Sequence, residues 1–180
     1  KAVELDNIAP LLTINVVAGN DIVNDAEDNT LVISGTTTAE NGQMVSVTVG
    51  ALPPVLVVAS GGVWTTAPID ISAQAQGALN VSASVSDLAG NPSGAIVRPF
   101  THDSVAPTIT INSIGGDGNV NDTEDNALVI SGTSTAEDGR TVSVSINGGA
   151  AITTTVMAGV WTLAAQDVSA ITPINGPLSV

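Results

Sequence analysis

Two stretches of the chain hold most of the residues that could do chemistry. NDIVNDAEDN at 20–29 and DGNVNDTEDN at 117–126 each pack four carboxylates among amide side chains. Two carboxylates held about 5 Å apart at an effective dielectric near 20 repel by roughly 3 kcal/mol. One arginine does not offset several such pairs. A hard divalent cation does, and Ca2+ takes about six to eight oxygens from carboxylates, amides and carbonyls. Asp117, Asn119 and Asn121 even stand at the 1-3-5 spacing of an EF-hand loop. The sixth position, however, is Asp122 rather than Gly, the twelfth is Leu128 rather than Glu, and the first stretch offers Asn20, Ile22 and Asn24. A true EF-hand is therefore excluded. Scattered charge would keep a β-protein soluble equally well, so clustering favours cation binding.

The elements that position these loops follow from an internal repeat, which is sought before anything else. DNIAPLLTIN at 6–15 recurs as DSVAPTITIN at 103–112, a shift of 97. The same shift aligns NDAEDNTLVISGTTTAENG (24–42) with NDTEDNALVISGTSTAEDG (121–139), and Val63-Trp64-Thr65 with Val160-Trp161-Thr162. No gap is needed from Asp6 to Ala73, and near Gly77 and Gly176 the shift becomes 99, a two-residue insertion. Residues 1–5 match 98–102, the tail of a repeat, and Val180 matches Val81. The expected division is a tail at 1–5, repeat 1 at 6–102, and repeat 2 at 103–180, which stops before its last strands. The chain reads as a window on a longer array.

Each repeat reads as β throughout. Val45, Val47 and Val49 alternate with Ser46 and Thr48, and Leu79, Val81, Ala83 and Val85 alternate with polar residues, the period of a half-buried strand. Seven strands are expected in repeat 1, near 11–17, 30–37, 43–50, 55–59, 63–67, 79–86 and 94–101. Pro99, which has no N–H to donate, suits an edge. The segment 68–78 carries a weak signal for a helical turn. Seven antiparallel strands in about 97 residues predict tandem immunoglobulin-like Greek-key sandwiches, end to end. Trp64 and Trp161, at equivalent positions, are expected to plug the cores.

Strand direction sorts the acids into two poles. The candidate metal ligands of repeat 1 are Asp6, Asp21, Asn24, Asp25, Glu27, Asp28, Glu40, Asp70 and Asp87. Those of repeat 2 are Asp103, Asp117, Asn121, Asp122, Glu124, Asp125, Glu137 and Asp138, with Asp167 a further acid in a matching place. The N-terminal pole of repeat 1 collects Asp6, Glu40, Asn41, Asp87 and Asn91. The opposite pole collects the 20–29 loop, Asp70 and Asp103. In an array, Asp103, Glu137 and Asp138 are expected to meet Asp25, Glu27, Asp28 or Asp70 where repeats join.

The unit pattern D-x-x-A-P-T-I-T-I-N, N-D-x-E-D-N, L-V-I-S-G-T-T-T-A-E, G-V-W-T and S-D-L-A-G-N-P-S resembles the bacterial Ig-like repeats of giant RTX-type, type I-secreted adhesins, and the resemblance covers essentially the whole chain. It implies an extracellular, cell-surface stalk in which Ca2+ at the junctions stiffens tandem repeats that project a ligand-binding tip for adhesion or biofilm formation. It also implies junction ligands at Asp103, Glu40, Glu137 and Asp87. The dense 20–29 loop would form a second site by its composition alone.

Composition narrows the alternatives. The 180 residues hold 17 acids against three bases, for a net charge of −14, yet 43% are hydrophobic and only 2% aromatic. So acidic a chain repels nucleic acid and anionic membranes, and it lacks platforms for stacking bases or sugars. Cysteine is absent, which removes disulfides, thiolate sites and cysteine nucleophiles. No apolar run approaches the roughly 18–20 residues a helix needs to span a bilayer, and the opening KAVELDNIAP lacks the form of a signal peptide. No phosphate loop, HExxH or zinc spacing occurs. The single histidine, His102, is expected to be solvent-exposed or to stand behind a metal ligand, and the sequons at Asn80 and Asn121 read as accidental. No enzyme, membrane-inserted or small-molecule-binding role is expected. The partners are neighbouring repeats, with strand exchange with another copy as a further possibility. Two other readings stay open: a repeat that itself adheres through homophilic or receptor contacts, which would want an exposed apolar patch, and an accessory module of a secreted hydrolase.

Overall fold

The computed structural model describes Val3, residues 5–171, and Ser179 and Val180. Most of the 1–5 tail and the insertion at Gly176 thus lie outside the described residues. The chain divides into two compact units, Lys1–Val105 and Ala106–Val180. Apart from one 3-10 turn the described elements are all β.

In unit 1 the chain uses its first strand twice. Residues 11–15 run beside β2 (Ser34–Thr36), with Thr13 N donating to Thr36 O and Asn15 N to Ser34 O, both at 2.9 Å. A 3-10 turn at Val17–Gly19 then carries the chain across to the other sheet. There β1 (Ile22–Val23) pairs parallel with β7 (Ile96–His102). The expected strand at 11–17 thus survives as a ladder, and a two-residue strand appears where only an acidic loop was expected. It was hidden because two apolar residues are too short for any periodicity to register.

The remaining strands are β3 (Met44–Val49), β4 (Val55–Val58), β5 (Val63–Thr65) and β6 (Gly77–Ser84). One sheet has the order β1-β7-β6-β3-β4, and the other pairs β2 with β5 beside residues 11–15. Residues 68–78 hold no helix; Ile69 bridges Leu31 instead. Thr101 and Asp103 both direct their N–H toward the β1 side, so by the two-residue period the ring nitrogen of Pro99 faces the same way. At that level β1 has not yet begun, so no ladder bond is lost.

Burial follows the alternation. Val45, Val47 and Val49 of β3 and Val81 and Ala83 of β6 are buried while the residues between them are not. Each of these valines contributes about 1.5–3 kcal/mol. Trp64 lies in the core of unit 1 and Trp161 in that of unit 2, each 1% exposed.

Unit 2 repeats this geometry over its described part. β8 (Ser131–Thr133) pairs with β11 (Val160–Thr162) so that Trp161 faces Gly132, as Trp64 faces Gly35. β9 (Thr141–Val144) pairs with β10 (Ile152–Thr155) in the register of β3 with β4. Asn147 N donates to Ser179 O at 2.7 Å, as Gly50 N donates to Asn80 O at 2.9 Å. Those two bonds match at a shift of 97 on one side and 99 on the other, which agrees with a two-residue insertion between them.

Each indole is seated on a glycine. A Cβ on Gly35 would stand 2.6 Å from Trp64 Cζ2 and collide with the carbonyl of Thr13, and one on Gly132 would meet Trp161 and Thr110 in the same way. Both backbone and ring would have to shift, an overpacking cost of about 3 kcal/mol. Gly35→Ala is expected to lower the urea midpoint of unit 1 accordingly, and Gly132→Ala that of unit 2.

Candidate functional site

At the N-terminal pole of unit 1 the tight loop after β6 gathers acids from three parts of the chain. Asp87 is buried, and its two oxygens accept from Asn91 N at 2.7 Å and Asn91 Nδ2 at 2.8 Å. These bonds, the side-chain one foremost, hold its carboxyl below the usual carboxylate range. Asn91 Nδ2 also reaches the carbonyl of Asp6 at 3.3 Å. Glu40 Oε2 accepts from Leu88 N at 3.0 Å, tying the T-A-E turn to the same loop. Glu40, Asp87 and the backbone carbonyl of Asp6, separated by up to 81 residues in sequence, thus meet around one loop, while the Asp6 carboxylate accepts from Ile8 N.

The opposite pole of unit 1 is tied together as well. Asp28 is 2% exposed and His102 is fully buried, with Nε2 3.3 Å from Asp28 Oδ2 and Nδ1 3.3 Å from Ala75 O. Asp28 O accepts from Ile71 N, and Asp103 N donates to Val23 O. The expectation of an exposed histidine is therefore corrected. His102 is the last residue of β7, and the strand period turns its side chain inward onto a carboxylate 74 residues away.

Several predicted ligands have a local structural partner. Asp21 adopts a positive φ of 60° and receives both arms of Arg98, Nε at 2.7 Å and Nη2 at 2.6 Å. That fork, with a bond from Val17 N, lowers the Asp21 pKa to about 2. Asp70 Oδ1 accepts from the hydroxyl and N–H of Ser72, which lowers its pKa, and Asp167 repeats the arrangement with Ser169. Glu137 is paired with Arg140 at 3.0 Å, and its pKa is lowered by its own backbone N–H and by that arginine. Asp138 Oδ1 accepts from Ala158 N where Asn41 Oδ1 accepts from Gly61 N, both at 2.7 Å. Asp117 accepts from Asn119 N, and Asp125 from Asn126 Nδ2. Asp25, Asp103 and Asp122 are exposed.

The motif N-D-x-E carries a signal that composition alone obscured. Asn24 Oδ1 accepts from Ala26 N while Glu27 Oε2 accepts from Asn24 N, and Asn121 and Glu124 form the same reciprocal pair. The glutamate arm is that of a capping box, readable from an N-cap residue followed three positions later by Glu, while the asparagine side chain caps the second residue of the turn rather than the third.

Among the described residues no three carboxylate or imidazole groups stand close enough to hold a metal ion by themselves. The oxygen set at the Asp87 loop still fits a hard cation. Each ionised carboxylate has about four acceptor sites. Asp6 and Glu40 each accept one bond, from Ile8 N and Leu88 N, whereas Asp87 is engaged by Asn91 twice and by the N–H groups of Gly90 and Ala89, so the free acceptor sites lie mainly on Asp6 and Glu40. Carbonyls such as that of Asp6 belong to the same donor class that Ca2+ selects.

No family model matches the sequence, and no curated protein matches it significantly. Solved structures do. One, concerned with host cell surface retention of a 1.5-MDa bacterial ice-binding adhesin, is 33% identical at a TM-score of 0.52, over 89% of this chain and 54% of that one. The structural neighbours are bacterial adhesin repeats. A Ca2+-stabilised adhesin with which an Antarctic bacterium reaches out and binds ice is 28% identical at 0.47, over 91% of this chain and 42% of that one. A tetra-tandem repeat from the extending region of a large adhesion protein is 24% identical at 0.45, over 89% and 42%. Only the first exceeds a TM-score of one half. The chain spans about half the length of these solved chains. They are adhesin segments rather than enzymes, and no helix among the described residues is long and apolar enough to cross a membrane.

Two expectations follow. Asp21 has a folded pKa depressed below its ordinary value of 3.8, so its contribution to stability is complete above that value and is lost as pH falls toward 2. Acid unfolding of the wild type is expected to show this component between about pH 4 and 2, and Arg98→Met to lack it. Asn24→Ala removes a cap and is expected to cost about 1 kcal/mol in denaturant titrations.

Proposed function

We propose that the chain is an extender segment of a large bacterial surface adhesin, stiffened by calcium where its repeats join. The observation that carries this reading is the convergence of Asp6, Glu40 and Asp87 on the loop closed by Asn91. The likeness to the 1.5-MDa bacterial ice-binding adhesin supports the adhesin setting.

Asp6 is the linker aspartate of repeat 1, as Asp103 is of repeat 2. In this reading Asp6 and Asp103 enter the site of the repeat they lead, with the Glu of T-A-E (Glu40, Glu137) and the Asp of S-D-L-A-G-N (Asp87) completing it. When bound, Ca2+ would supply a fixed positive charge that cancels carboxylate repulsion and ties linker to loop. Asn91 orients the Asp6 carbonyl and the Asp87 carboxylate, and the Leu88 N–H orients Glu40. Without the ion the acids repel and the linker is held by single hydrogen bonds; with it the repeats form a stiff stalk projecting a tip from the cell surface. The loops 20–29 and 117–126 provide a further, weaker site through Asp25, Glu27, Asp122 and Glu124. Passage through type I secretion in an unfolded, calcium-poor state suits a cysteine-free chain.

A ligand at 100-fold saturation adds about 2.7 kcal/mol to the folded state, worth on the order of 10–20 °C for a domain of this size. Thermal melts in EDTA and in a calcium series, with magnesium as control, are expected to show a calcium-selective rise of that order. Asp87→Asn and Glu40→Gln should abolish most of it, and Asp25→Asn with Glu27→Gln should remove a smaller part. A chain whose melting ignores calcium would end this mechanism.

A further inference from the structure

The five-stranded sheet of unit 1 ends on β4, whose far side has no strand partner among the described residues. Ala59 N donates to Gln43 O on the β3 side, so by the two-residue period residues 55 and 57 also turn their backbone groups toward β3. Leu56 and Val58 then present N–H and C=O to the open edge. Their side chains lie on the outer face, 63% and 56% exposed, and Met44, directly opposite Val58, is 44% exposed. Natural sheets usually blunt such an edge with lysine, an inward charge or a bulge. β4 has none of these, and the prolines Pro53 and Pro54 stand just before it.

The second repeat shows that the fold does not require these apolar residues. At the shift of 97, Met44, Leu56 and Val58 correspond to Thr141, Thr153 and Thr155, which occupy the same register and are all exposed. A sandwich that accepts threonine at all three places in one copy gains no core from leucine, valine and methionine in the other.

Charge identifies the occupant. Residues 41–69 contain no Asp, Glu, Lys or Arg, whereas the whole chain carries −14. Two such chains repel wherever their loops approach. Across β3 and β4 they meet no carboxylate, and the neutral apolar edge is complementary to itself under a two-fold axis. We propose that unit 1 self-associates through β4, two copies pairing antiparallel edge to edge with Leu56 and Val58 packed across the seam and Met44 flanking Val58 one strand behind it. Pairing supplies main-chain hydrogen bonds as in strand addition, and the side chains set its register. This gives the homophilic reading the exposed apolar patch it needs, and it does not depend on calcium.

Sedimentation of the 180-residue chain in EDTA, over loading concentrations from about 1 μM to 1 mM, tests the proposal. The expected result is a monomer–dimer equilibrium that strengthens as salt screens the net charge. Leu56→Thr with Val58→Thr, the residues of the second repeat, should leave a monomer throughout with an unchanged far-UV spectrum and melt. Leu56→Lys should do the same. A wild type that stays monomeric overturns the proposal, even if its edge captures an extended peptide of another protein. So does association that survives the threonine pair. Association that appears only with calcium and survives that pair would place the contact on the carboxylates and likewise overturn it.

Discussion

An indole ring pressed onto a glycine sets the spacing of each repeat. A sandwich needs bulk between its sheets, and with aromatics at 2% of the sequence one tryptophan per repeat is the largest side chain that each core buries. Trp64 and Trp161 can occupy that place only because Gly35 and Gly132 have no side chain, and the same glycines let the carbonyls of Thr13 and Thr110 come close. The first strand, the second strand and the tryptophan strand are thereby locked into one register. Among the described residues the indole nitrogens have no hydrogen-bond partner, a penalty of about 1–3 kcal/mol for each buried donor. Packing evidently outweighs it, since the identical arrangement stands in both units.

From this core the rest follows by exclusion. Strands that bury alternate Val, Ile and Leu leave no inward position for an unpaired charge, and their outward positions here hold chiefly Ser, Thr and apolar residues, so the acids stand in the turns. Turns in a sandwich lie at its two ends, and a chain with 17 acids placed this way loads its ends. The sides are left neutral, rich in Ser and Thr, and in unit 1 locally apolar along β4. One compositional constraint thus yields two surfaces of opposite character, acidic ends and an uncharged flank.

Much of this was legible in the sequence. The strict alternation at Val45, Val47 and Val49 placed β3, and the paired tryptophans were read as core plugs. The 97-residue shift placed the second unit's strands from the first. What escaped detection depended on partners far away in the chain. β1 is two residues long and exists because β7 passes beside it. His102 looked like linker because its partner Asp28 stands 74 residues earlier, and only the inward turn of β7 brings them together. The apolar flank escaped for a related reason: Leu56 and Val57 look alike in sequence, and only the register against β3 shows which faces out. The N-D-x-E cap is legible from spacing alone, and its glutamate bonds the backbone of its own turn, a use that a count of carboxylates does not reveal.

That last point bears on what acidic loops are for. In these repeats many carboxylates already accept from backbone N–H groups: Glu27 and Glu124 from the caps, Asp70 and Asp167 from Ser turns, Asp87 from Asn91, and Asp138 from Ala158. Turn formation and cation binding are not rival uses of such a group, since an ionised carboxylate has about four acceptor sites and a turn occupies one or two. The turn bonds fix the oxygens before any ion arrives, so binding need not order the loops as well. Asp21 shows the opposite limit. There the Arg98 fork engages both oxygens from one side, and the positive charge a cation would bring is already built into the sandwich. An acid whose only partners are its own loop's amides keeps its full negative charge for a newcomer. On that criterion Asp87 and the capping glutamates, and Glu40 with its single amide partner Leu88 N, are better placed than Asp21 to meet an ion.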